Sequence, residues 1–438
     1  MTALKVGIVS LGCNKNRVDS EIALGLMQDA GYRLTPDPAE ADILMVNTCG
    51  FIGPAKEESI DTILEMAQYK QTGKCRLLVV SGCLAQRYEQ ALMDDMPEID
   101  VLLGVNQYQC LPQAIEKALK TGERVASVED PKAFYEHRRV LTTPSYSAYI
   151  RIGEGCSNRC TFCAIPLIRG NYRSRAQEDI LSEIRALADQ GVSEHVLVAQ
   201  DTTRYGTDHG GHTTLPALLT KASEIDGVHW LRVLYCYPDE TNEALLDFLA
   251  ENSKACPYLD LPIQHINDTI LRRMHRRGTS ADIRRCVRMA HEKGITLRTS
   301  LIVGFPGETE AQFQELLDFM EEARFDRLGA FAYSPEEGTP AADMPDQIPE
   351  EVKQERLDRL MTLQSRISLR ANQARIGEET EVLITGKQDS LYRGRSRREA
   401  PETDGEILVS SARALPIGSY VRARLTSADV YDMRGVVL

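Results

Sequence analysis

The chain has no long apolar run and no excess of positive charge. Its 438 residues are 42% hydrophobic and 26% charged, and no stretch approaches the ~20 apolar residues of a membrane-spanning helix. The formal net charge of −13 argues against a general nucleic-acid binder, which relies on overall positive charge. The N-terminal residues lead into a strand pattern without the features of a signal peptide. The composition therefore predicts a cytoplasmic protein with no membrane segment.

The most informative shortage is a missing fourth ligand beside three cysteines. Cys156, Cys160 and Cys163 are spaced C-x3-C-x2-C in GEGCSNRCTFCAIPLIRG, and no further Cys or His stands next to them. A structural zinc site is closed by four protein ligands, so zinc is disfavoured. A 4Fe-4S cluster held by three thiolates instead keeps one iron free for a substrate or cofactor. The spacing therefore predicts a reactive iron–sulfur cluster.

Three more cysteines follow successive strands in the first third of the chain. The apolar runs KVGIVSL, ADILMVNTC and RLLVVSGC alternate with helical segments, which predicts a doubly wound parallel sheet. Cys13, Cys49 and Cys83 each lie just past the C-terminal end of one of these strands. Ligands bind at that edge of a parallel sheet, so we expect the three thiols to hold a second cluster. The alternative is that they are small buried apolar residues.

The other five cysteines do not fit a metal site. Cys75 precedes its strand and is therefore expected at the opposite end of the sheet. The remaining four have no partner at metal-ligand spacing and are interpreted as core residues: Cys110, Cys236, Cys256 and Cys286.

A second α/β region follows a proline-dotted polar segment at residues 131–146. Six strand patterns alternate with helices there: SAYIRIG, EHVLVAQ, HWLRVLY, YLDLPI, ITLRTSLIVG and RLGAFAY. Six successive β/α units predict a closed or partly open barrel with its functional residues at the C-terminal strand ends. The motif with three closely spaced cysteines follows the first of these strands, on that face.

The motif CSNRCTFC resembles the signature of the radical S-adenosylmethionine enzymes, with Phe162 as the aromatic residue before the last cysteine. The resemblance implies a partial (β/α)6 barrel and a 4Fe-4S cluster whose open iron is chelated by S-adenosylmethionine. One-electron reduction then gives methionine and a hydrogen-abstracting 5′-deoxyadenosyl radical, which is chemistry of the cofactor.

Four residues are candidates for S-adenosylmethionine contacts. Phe162 is expected against the adenine, and Gln200 and Asp201 near the ribose or methionine part. Gly304 begins the turn GFPGE, whose backbone is able to approach the adenine closely. An ordinary strand-end turn or a satisfied polar group is the alternative for each.

The C-terminal region has a different pattern. After a charged helix, short alternating strands occur at EVLITG, GEILVS, SYVRARLTSAD and MRGVVL, which predicts a small five-stranded antiparallel barrel of OB-like size. It resembles a TRAM domain, a module often used to hold RNA. We expect three domains, at residues 1–135, 142–375 and 376–438.

Two sets of three cysteines, a radical barrel and a TRAM domain together resemble the methylthiotransferases over essentially the whole chain. The resemblance implies two 4Fe-4S clusters, and S-adenosylmethionine as both radical source and methyl donor. It also implies an electron donor such as a flavodoxin or ferredoxin. The N-terminal cluster takes part in sulfur insertion, and a C–SCH3 group replaces a C–H bond. The sulfur is either a ligand on that cluster or part of it.

Two branches of this family differ in substrate, which is a tRNA adenosine or an aspartate of ribosomal protein S-twelve in the small subunit. The phrases SLGCNKNRVDSE, CAIPLIRGNYRSR, LPIQHIN and FAYSPEEGTPAA resemble the ribosomal-protein branch. The tRNA branch usually has GCQMN-like and SGS-like wording where this chain has GCNKN and QHIN. Asn14 and Arg17 depart slightly, standing where Pro and Leu are common. A non-catalytic iron–sulfur RNA-binding protein is the further alternative, disfavoured because both cysteine sets leave an iron open.

Charge in the C-terminal region bears on the same choice. Residues 377–438 contain nine Lys or Arg and ten Asp or Glu, a net charge of −1. A domain that grips tRNA phosphates is expected to be basic, so the balance favours a protein substrate. The local basic run comprises Arg393, Arg395, Arg397 and Arg398. It is either a solvated loop or a contact with the ribosomal protein or nearby rRNA.

Overall fold

The computed structural model describes residues 3–129 and 138–438. The predicted end of the first domain, at residue 135, and most of the first half of the polar segment 131–146 lie outside the described residues. No helix within the described ranges has both the length and the apolar character needed to cross a membrane.

The first unit is a six-stranded parallel sheet. Its strands are β1 (Lys5–Ser10), β2 (Arg33–Leu34), β3 (Ile43–Thr48), β4 (Leu77–Gly82), β5 (Val101–Leu103) and β6 (Val125–Ser127). Its helices are α1 (Asn14–Asp29), α2 (Gly53–Thr72), α3 (Cys83–Arg87), α4 (Glu89–Asp95) and α5 (Leu111–Thr121). The strand order is β2-β1-β3-β4-β5-β6 and every pairing is parallel.

Helices cover both faces of this sheet, which confirms the doubly wound prediction. The apolar sides of α1 and α5 pack on one face and those of α2, α3 and α4 on the other. The helix α3 begins directly at the end of β4, with Cys83 as its first residue. The strands β3 and β4 are buried along their whole length, as expected for continuous apolar runs between two helix layers.

The second unit is an open barrel. Its strands are β7 (Ser147–Arg151), β8 (Gly153–Glu154), β9 (Arg173–Ser174), β10 (Glu194–Val198), β11 (Trp230–Val233), β12 (Tyr258–Asp260), β13 (Thr296–Val303) and β14 (Arg327–Ala332). Its helices are α6 (Ile165–Arg169), α7 (Gln177–Asp189), α8 (Thr207–Gly210), α9 (Leu215–Ser223), α10 (Glu243–Glu251), α11 (Asp268–Arg273), α12 (Ser280–Glu292), α13 (Glu310–Ala323) and α14 (Glu350–Gln373).

Six parallel strands form the barrel wall. They make the three-stranded sheets β11-β10-β7 and β12-β13-β14, which a parallel bridge between Leu231 and Ala255 connects. In the part of the chain that the structure describes, β7 and β14 are not paired. The predicted partial (β/α)6 barrel is therefore confirmed. The short strands β8 and β9 form a separate antiparallel ribbon.

The third unit is a closed five-stranded barrel. Its strands are β15 (Glu379–Gln388), β16 (Leu391–Arg395), β17 (Ile407–Ser410), β18 (Tyr420–Ala428) and β19 (Met433–Val437), in the ring order β15-β16-β17-β19-β18. Four pairings are antiparallel, as predicted, and β17 pairs with β19 in parallel. Closure requires this exception, because an odd number of strands in a ring cannot alternate in direction throughout.

Two arginines of the basic run contact the open barrel. Arg395 forms a buried ion pair with Glu194, the first residue of β10. Arg397 donates hydrogen bonds to backbone carbonyls of the open barrel, including that of Ser253. The interpretation of these two arginines as a solvated loop or as a ribosomal contact is therefore wrong. Arg395 and Arg397 hold the closed barrel on the open one.

Residues 396–405, here called the plug loop, extend this contact into the lower end of the open barrel. Asp404 accepts a hydrogen bond from the Tyr258 hydroxyl at 2.7 Å, and Glu399 pairs with Arg327 at 3.4 Å. Tyr258 and Arg327 are the first residues of β12 and β14. The plug loop therefore occupies the end of the open barrel away from the C-terminal strand ends.

Candidate iron–sulfur and S-adenosylmethionine site

Cys13, Cys49 and Cys83, here called the auxiliary set, lie at one edge of the parallel sheet. They follow β1, β3 and β4, which are neighbours in the sheet. Cys13 is exposed, Cys49 is half-buried and Cys83 is buried. The thiols of Cys13 and Cys49 are close enough to Cys83 to raise its pKa electrostatically. The structure thus brings together the three cysteines that strand position predicts.

Glycines beside these cysteines allow the loops to touch. A Cβ on Gly12 would lie 3.1 Å from Cys49 Sγ, and one on Gly50 would lie 2.8 Å from the backbone of Leu84. Contacts of 2.8 Å with backbone cannot be relieved by a side-chain rotation. Each auxiliary cysteine has such a glycine next to it in the sequence, as GC, CG and GC, and this repeated pairing was available as a signal for convergence.

Cys156, Cys160 and Cys163, here called the barrel set, lie in the loop after β8. Backbone hydrogen bonds fix this loop: Cys156 donates to Gly170 at 3.0 Å and Thr161 donates to Met274 at 3.0 Å. Burial, followed by the nearby thiols of Cys160 and Cys156, raises the pKa of Cys163. The three thiols therefore share one small region above the barrel strands.

Each cysteine set has a buried arginine against one of its sulfurs. Arg169 Nη2 lies 3.6 Å from Cys83 Sγ, and Arg276 Nη1 lies 3.7 Å from Cys160 Sγ. Burial raises the pKa of Cys83 to about 12 even with Arg169 beside it, because desolvation outweighs the favourable charge of the guanidinium. Iron binding needs the thiolate, and a guanidinium at this distance favours it.

A buried charge network joins the two sets. Asp19 of α1 accepts from Arg169 at 2.8 Å and also from Arg151. Glu154 accepts from Arg151 at 3.0 Å and from Arg169 at 3.1 Å. Two arginines therefore face two carboxylates, which balances the charge that burial makes costly. The amide oxygen of Asn16 completes the contact, at 2.6 Å from Arg169 Nη2.

The pKa of Glu154 reflects this balance. Burial alone would raise it, but Arg169 and Arg151 outweigh burial and lower the pKa of Glu154 to about 2. The sequence interpretation missed Asp19, Arg151, Glu154 and Arg169. A signal existed, since Arg151 ends the apolar run SAYIR and a charge in a fully buried strand requires a partner.

Gln200 and Asp201 follow β10 and differ in whether their side-chain oxygens are free to bind a ligand. Gln200 donates to Glu154 at 2.9 Å, while its buried Oε1 has no hydrogen-bond partner among the residues described. Asp201 is buried and accepts from Thr203 at 2.6 Å, Asn158 at 2.8 Å and Arg277 at 3.1 Å. Gln200 therefore has an acceptor free for a ligand, whereas Asp201 is occupied with ordering its neighbours.

Phe162 and Gly304 are brought together although they are distant in sequence. Phe162 packs in a small cluster that contains Phe305, the residue after Gly304. Gly304 has φ +70°, and a Cβ there would lie 2.4 Å from Lys353 Cγ. The Cβ side of this glycine is thus filled by Lys353. The turn and the aromatic residue of the cysteine motif form one surface.

A lysine and a tyrosine meet beside the auxiliary set. Lys15, in the first turn of α1, is 6% exposed, and its Nζ lies 3.0 Å from the centroid of the Tyr235 ring. Burial lowers the pKa of Lys15 to about 8, so at pH 7 the amine remains mainly a cation. Tyr235 follows β11 and its hydroxyl accepts from Asn14 at 3.2 Å.

The donor chemistry of both sets fits iron–sulfur clusters. Within residues 3–129 and 138–438, no three His, Cys, Asp or Glu side chains are grouped as around a single metal ion. In a cluster each thiolate binds its own iron atom, so the thiols need not meet at one point. Three soft sulfur donors per set are the ligands that such a cluster uses, and the arginine beside each set is within hydrogen-bonding reach of one sulfur.

Three family models match the chain. The Radical SAM superfamily matches residues 150–320, the uncharacterized protein family UPF0004 matches residues 5–104, and the TRAM domain matches residues 376–438. These matches coincide with the open barrel, the parallel sheet and the closed barrel.

Relatives of known name match the chain over its full length. The ribosomal protein uS12 methylthiotransferase RimO of Desulforamulus reducens is 50% identical over 98% of this chain and 98% of its own. That of Clostridium botulinum is 49% identical over 100% of this chain and 99% of its own. The chain belongs to the RimO family. It is accordingly a radical S-adenosylmethionine enzyme with the three-part architecture described above.

Solved structures support the fold of this RimO family member. The radical S-adenosylmethionine methyltransferase TsrM of Kitasatospora setae, solved with cobalamin and a [4Fe-4S] cluster, has a TM-score of 0.57 and 17% identity. The likeness covers 78% of this chain and 77% of that one. A second neighbour, the cobalamin-dependent S-adenosylmethionine radical enzyme OxsB, has a TM-score of 0.51 and 14% identity over 83% of this chain and 56% of that one.

Proposed function

We propose that this protein is a methylthiotransferase that replaces one hydrogen on the β-carbon of an aspartate in ribosomal protein uS12 with a methylthio group. The observation that carries the proposal is the pairing of two three-cysteine sets across one buried charge network. One set stands on the parallel sheet and the other on the radical barrel. Full-length relatives named for this activity support the substrate.

The barrel set is assigned to the radical step. Cys156, Cys160 and Cys163 hold a 4Fe-4S cluster that, when bound with S-adenosylmethionine, supplies a hydrogen-abstracting deoxyadenosyl radical. Arg276 donates a hydrogen bond to the Cys160 sulfur at 3.7 Å. The backbone bonds of Cys156 and Thr161 keep the loop in place. The plug loop lies at the other end of the barrel, away from this set.

The auxiliary set is assigned to a second cluster. Cys13, Cys49 and Cys83 would hold it with one iron open for the sulfur that is inserted. Arg169 contacts this set at Cys83 and is fixed by Asp19 and Glu154. The same carboxylate of Glu154 bonds Gln200. This group of side chains therefore contacts the auxiliary set directly and, through Glu154, lies two residues before Cys156 of the barrel set.

S-adenosylmethionine contacts are assigned to four residues. The free Oε1 of Gln200 accepts from the ribose hydroxyls or the ammonium group of the cofactor. Phe162 and the turn at Gly304 form the adenine surface, supported by their shared cluster. Asp201 holds Asn158 and Arg277 in place and through them shapes the methionine end.

The partners follow from this chemistry. The substrate is uS12, free or within the small ribosomal subunit, which places the reaction in the cytoplasm. A one-electron donor of the flavodoxin or ferredoxin class supplies the barrel cluster. Any contact of the closed barrel with rRNA uses exposed residues other than Arg395 and Arg397, because these two face the open barrel.

The test compares cells with and without the gene. Intact-mass measurement of uS12 should show a gene-dependent gain of one methylthio group in place of hydrogen, with tRNA nucleosides unchanged. A gene-dependent methylthio-adenosine in tRNA, with uS12 unchanged in mass, would instead assign the chain to tRNA modification. If both remain unchanged, the chain has neither activity.

A further inference from the structure

Lys15 is a buried cation without a counter-charge in direct contact. The only contact that engages its Nζ among the described residues is the face of the Tyr235 ring, at 3.0 Å from the centroid. A lysine that is 6% exposed normally has a paired carboxylate. An aromatic face attracts the cation more weakly than a carboxylate does, so this lysine is held in place while an ionic bond remains open.

Asp260, the group that acts most strongly on Lys15 after the Cys13 thiol, is already paired. Asp260 accepts from Arg298 Nη1 at 2.8 Å and from the backbone N–H of Tyr235 at 3.0 Å. Arg298 also faces Asp404 of the plug loop, at 3.7 Å. Asp260 is thus directed to Arg298, and Lys15 remains without a carboxylate partner.

The backbone of Tyr235 adopts an unfavourable conformation in this arrangement. Tyr235 has φ +63°, a conformation that aromatic residues rarely adopt and that commonly marks functional sites. It places the ring under Lys15 at the C-terminal end of β11. Lys15 itself is two residues after Cys13, the exposed member of the auxiliary set.

We infer that Lys15 binds the side-chain carboxylate of the target aspartate and thereby selects aspartate as the substrate residue. This inference rests on the proposed function. In aspartate the carboxylate carbon is bonded directly to the β-carbon that reacts. An ionic contact between the carboxylate and Lys15 would therefore hold the reacting carbon one bond away from the bound carboxylate, close to the auxiliary set. A neutral amide in the same place would leave Lys15 unpaired.

The test uses the anaerobically reconstituted enzyme and two forms of uS12, natural and with the target aspartate replaced by asparagine, both free and in small subunits. Binding of each form is measured at equilibrium, along with deoxyadenosine and methylthio product. The variants are K15Q and K15R, each checked for iron content and for the spectra of both clusters. The control is K387Q, because Lys387 also lies over a tyrosine, 5.6 Å from the Tyr392 ring centroid, but on the closed barrel.

We expect wild type to bind the aspartate form about tenfold or more tightly than the asparagine form, since a charge-assisted contact is lost. K15Q should lose this preference, K15R should retain part of it, and K387Q should retain all of it.

A K15Q enzyme with both clusters and undiminished preference would overturn the inference. So would a K15Q enzyme whose only defect is a higher sulfide requirement, which would assign Lys15 to a sulfur anion. A wild-type enzyme that cleaves S-adenosylmethionine but neither binds nor modifies uS12 would instead remove the proposed function, and the inference with it.

Discussion

At the scale of single residues, the two cysteine sets have separable roles. Replacing Cys156 with Ala should abolish 5′-deoxyadenosine formation, because the cluster that reduces S-adenosylmethionine loses a ligand. Replacing Cys83 with Ala should leave that cleavage in place and stop the mass gain of uS12. Both products are measured by mass spectrometry. C110A is the control, since Cys110 is partly exposed and belongs to neither set. Deoxyadenosine formed at the wild-type rate by C156A would contradict the assignment.

Arg169 is the residue that connects the auxiliary set to the buried charge network. In R169M the carboxylates of Asp19 and Glu154 keep only Arg151 as a cation, and breaking such a buried network costs about 3–5 kcal/mol. We expect a lower midpoint of thermal unfolding and an altered electron paramagnetic resonance signal of the auxiliary cluster. R185M, on the exposed side of α7, should change neither. An unaltered signal in R169M would show that Arg169 does not influence the cluster.

The cysteines were predictable at this scale and the charged residues were not. Each cysteine stands in a local pattern, either the short motif CSNRC or a strand end such as SLGC. Arg169 bonds Asn16 and Asp19, which are 153 and 150 positions away in the chain. Only the folded arrangement of two units identifies those partners. The contact of Lys15 with Tyr235 was equally unpredictable, because it joins α1 of one unit to the end of β11 in another.

At the scale of elements, the turn after β13 depends on close packing. In G304A the new methyl group would collide with Lys353 Cγ at 2.4 Å, in a backbone conformation with φ +70°. G294A has a similar φ of +68° with nothing within 4 Å, so it reports the backbone strain alone, ~1 kcal/mol. We expect G304A to weaken S-adenosylmethionine binding in an equilibrium titration, and G294A to leave it unchanged. Equal binding by both variants would mean that the turn does not shape the cofactor surface.

Strand patterns predicted most elements, and their failures have physical reasons. Long apolar runs such as that of β3 are unambiguous because both faces are buried. The strand β16 was missed because its residues Leu391–Arg395 contain two arginines, which resemble a solvated loop. Arg395 is compatible with a strand only because Glu194 of another unit neutralises it.

At the scale of the whole molecule, buried ion pairs hold the units together and make this contact sensitive to acid. Burial alone would raise the pKa of Glu194, but Arg395 and Arg232 outweigh burial and lower it from 4.5 to about 2. A carboxylate with a depressed pKa stabilises the fold fully above its unfolded pKa, and this contribution is lost as the pH falls through the folded one. The stabilisation should therefore be complete above about pH 5 and decrease from there towards pH 2.

The variant E194Q tests this dependence. It should unfold at a lower temperature than wild type at pH 7, because Arg395 and Arg232 are left without their carboxylate. The difference between the two proteins should shrink between pH 5 and pH 3, as measured by thermal unfolding. E65Q, at an exposed position of α2, should match wild type throughout. A constant difference between E194Q and wild type at all these pH values would contradict the argument.

The plug loop limits how this protein can be recombined with its relatives. Its residues belong to the closed barrel by sequence, but Glu399 and Asp404 contribute to the interior of the open barrel. A chimera that exchanges residues 376–438 at the sequence boundary would therefore replace part of its neighbour's core. Functional exchange should need either a donor that keeps these two acids or a host in which Arg327 and Tyr258 are changed with them. The C-terminal unit and the open barrel should therefore be exchanged together, because each supplies part of the other's contact surface.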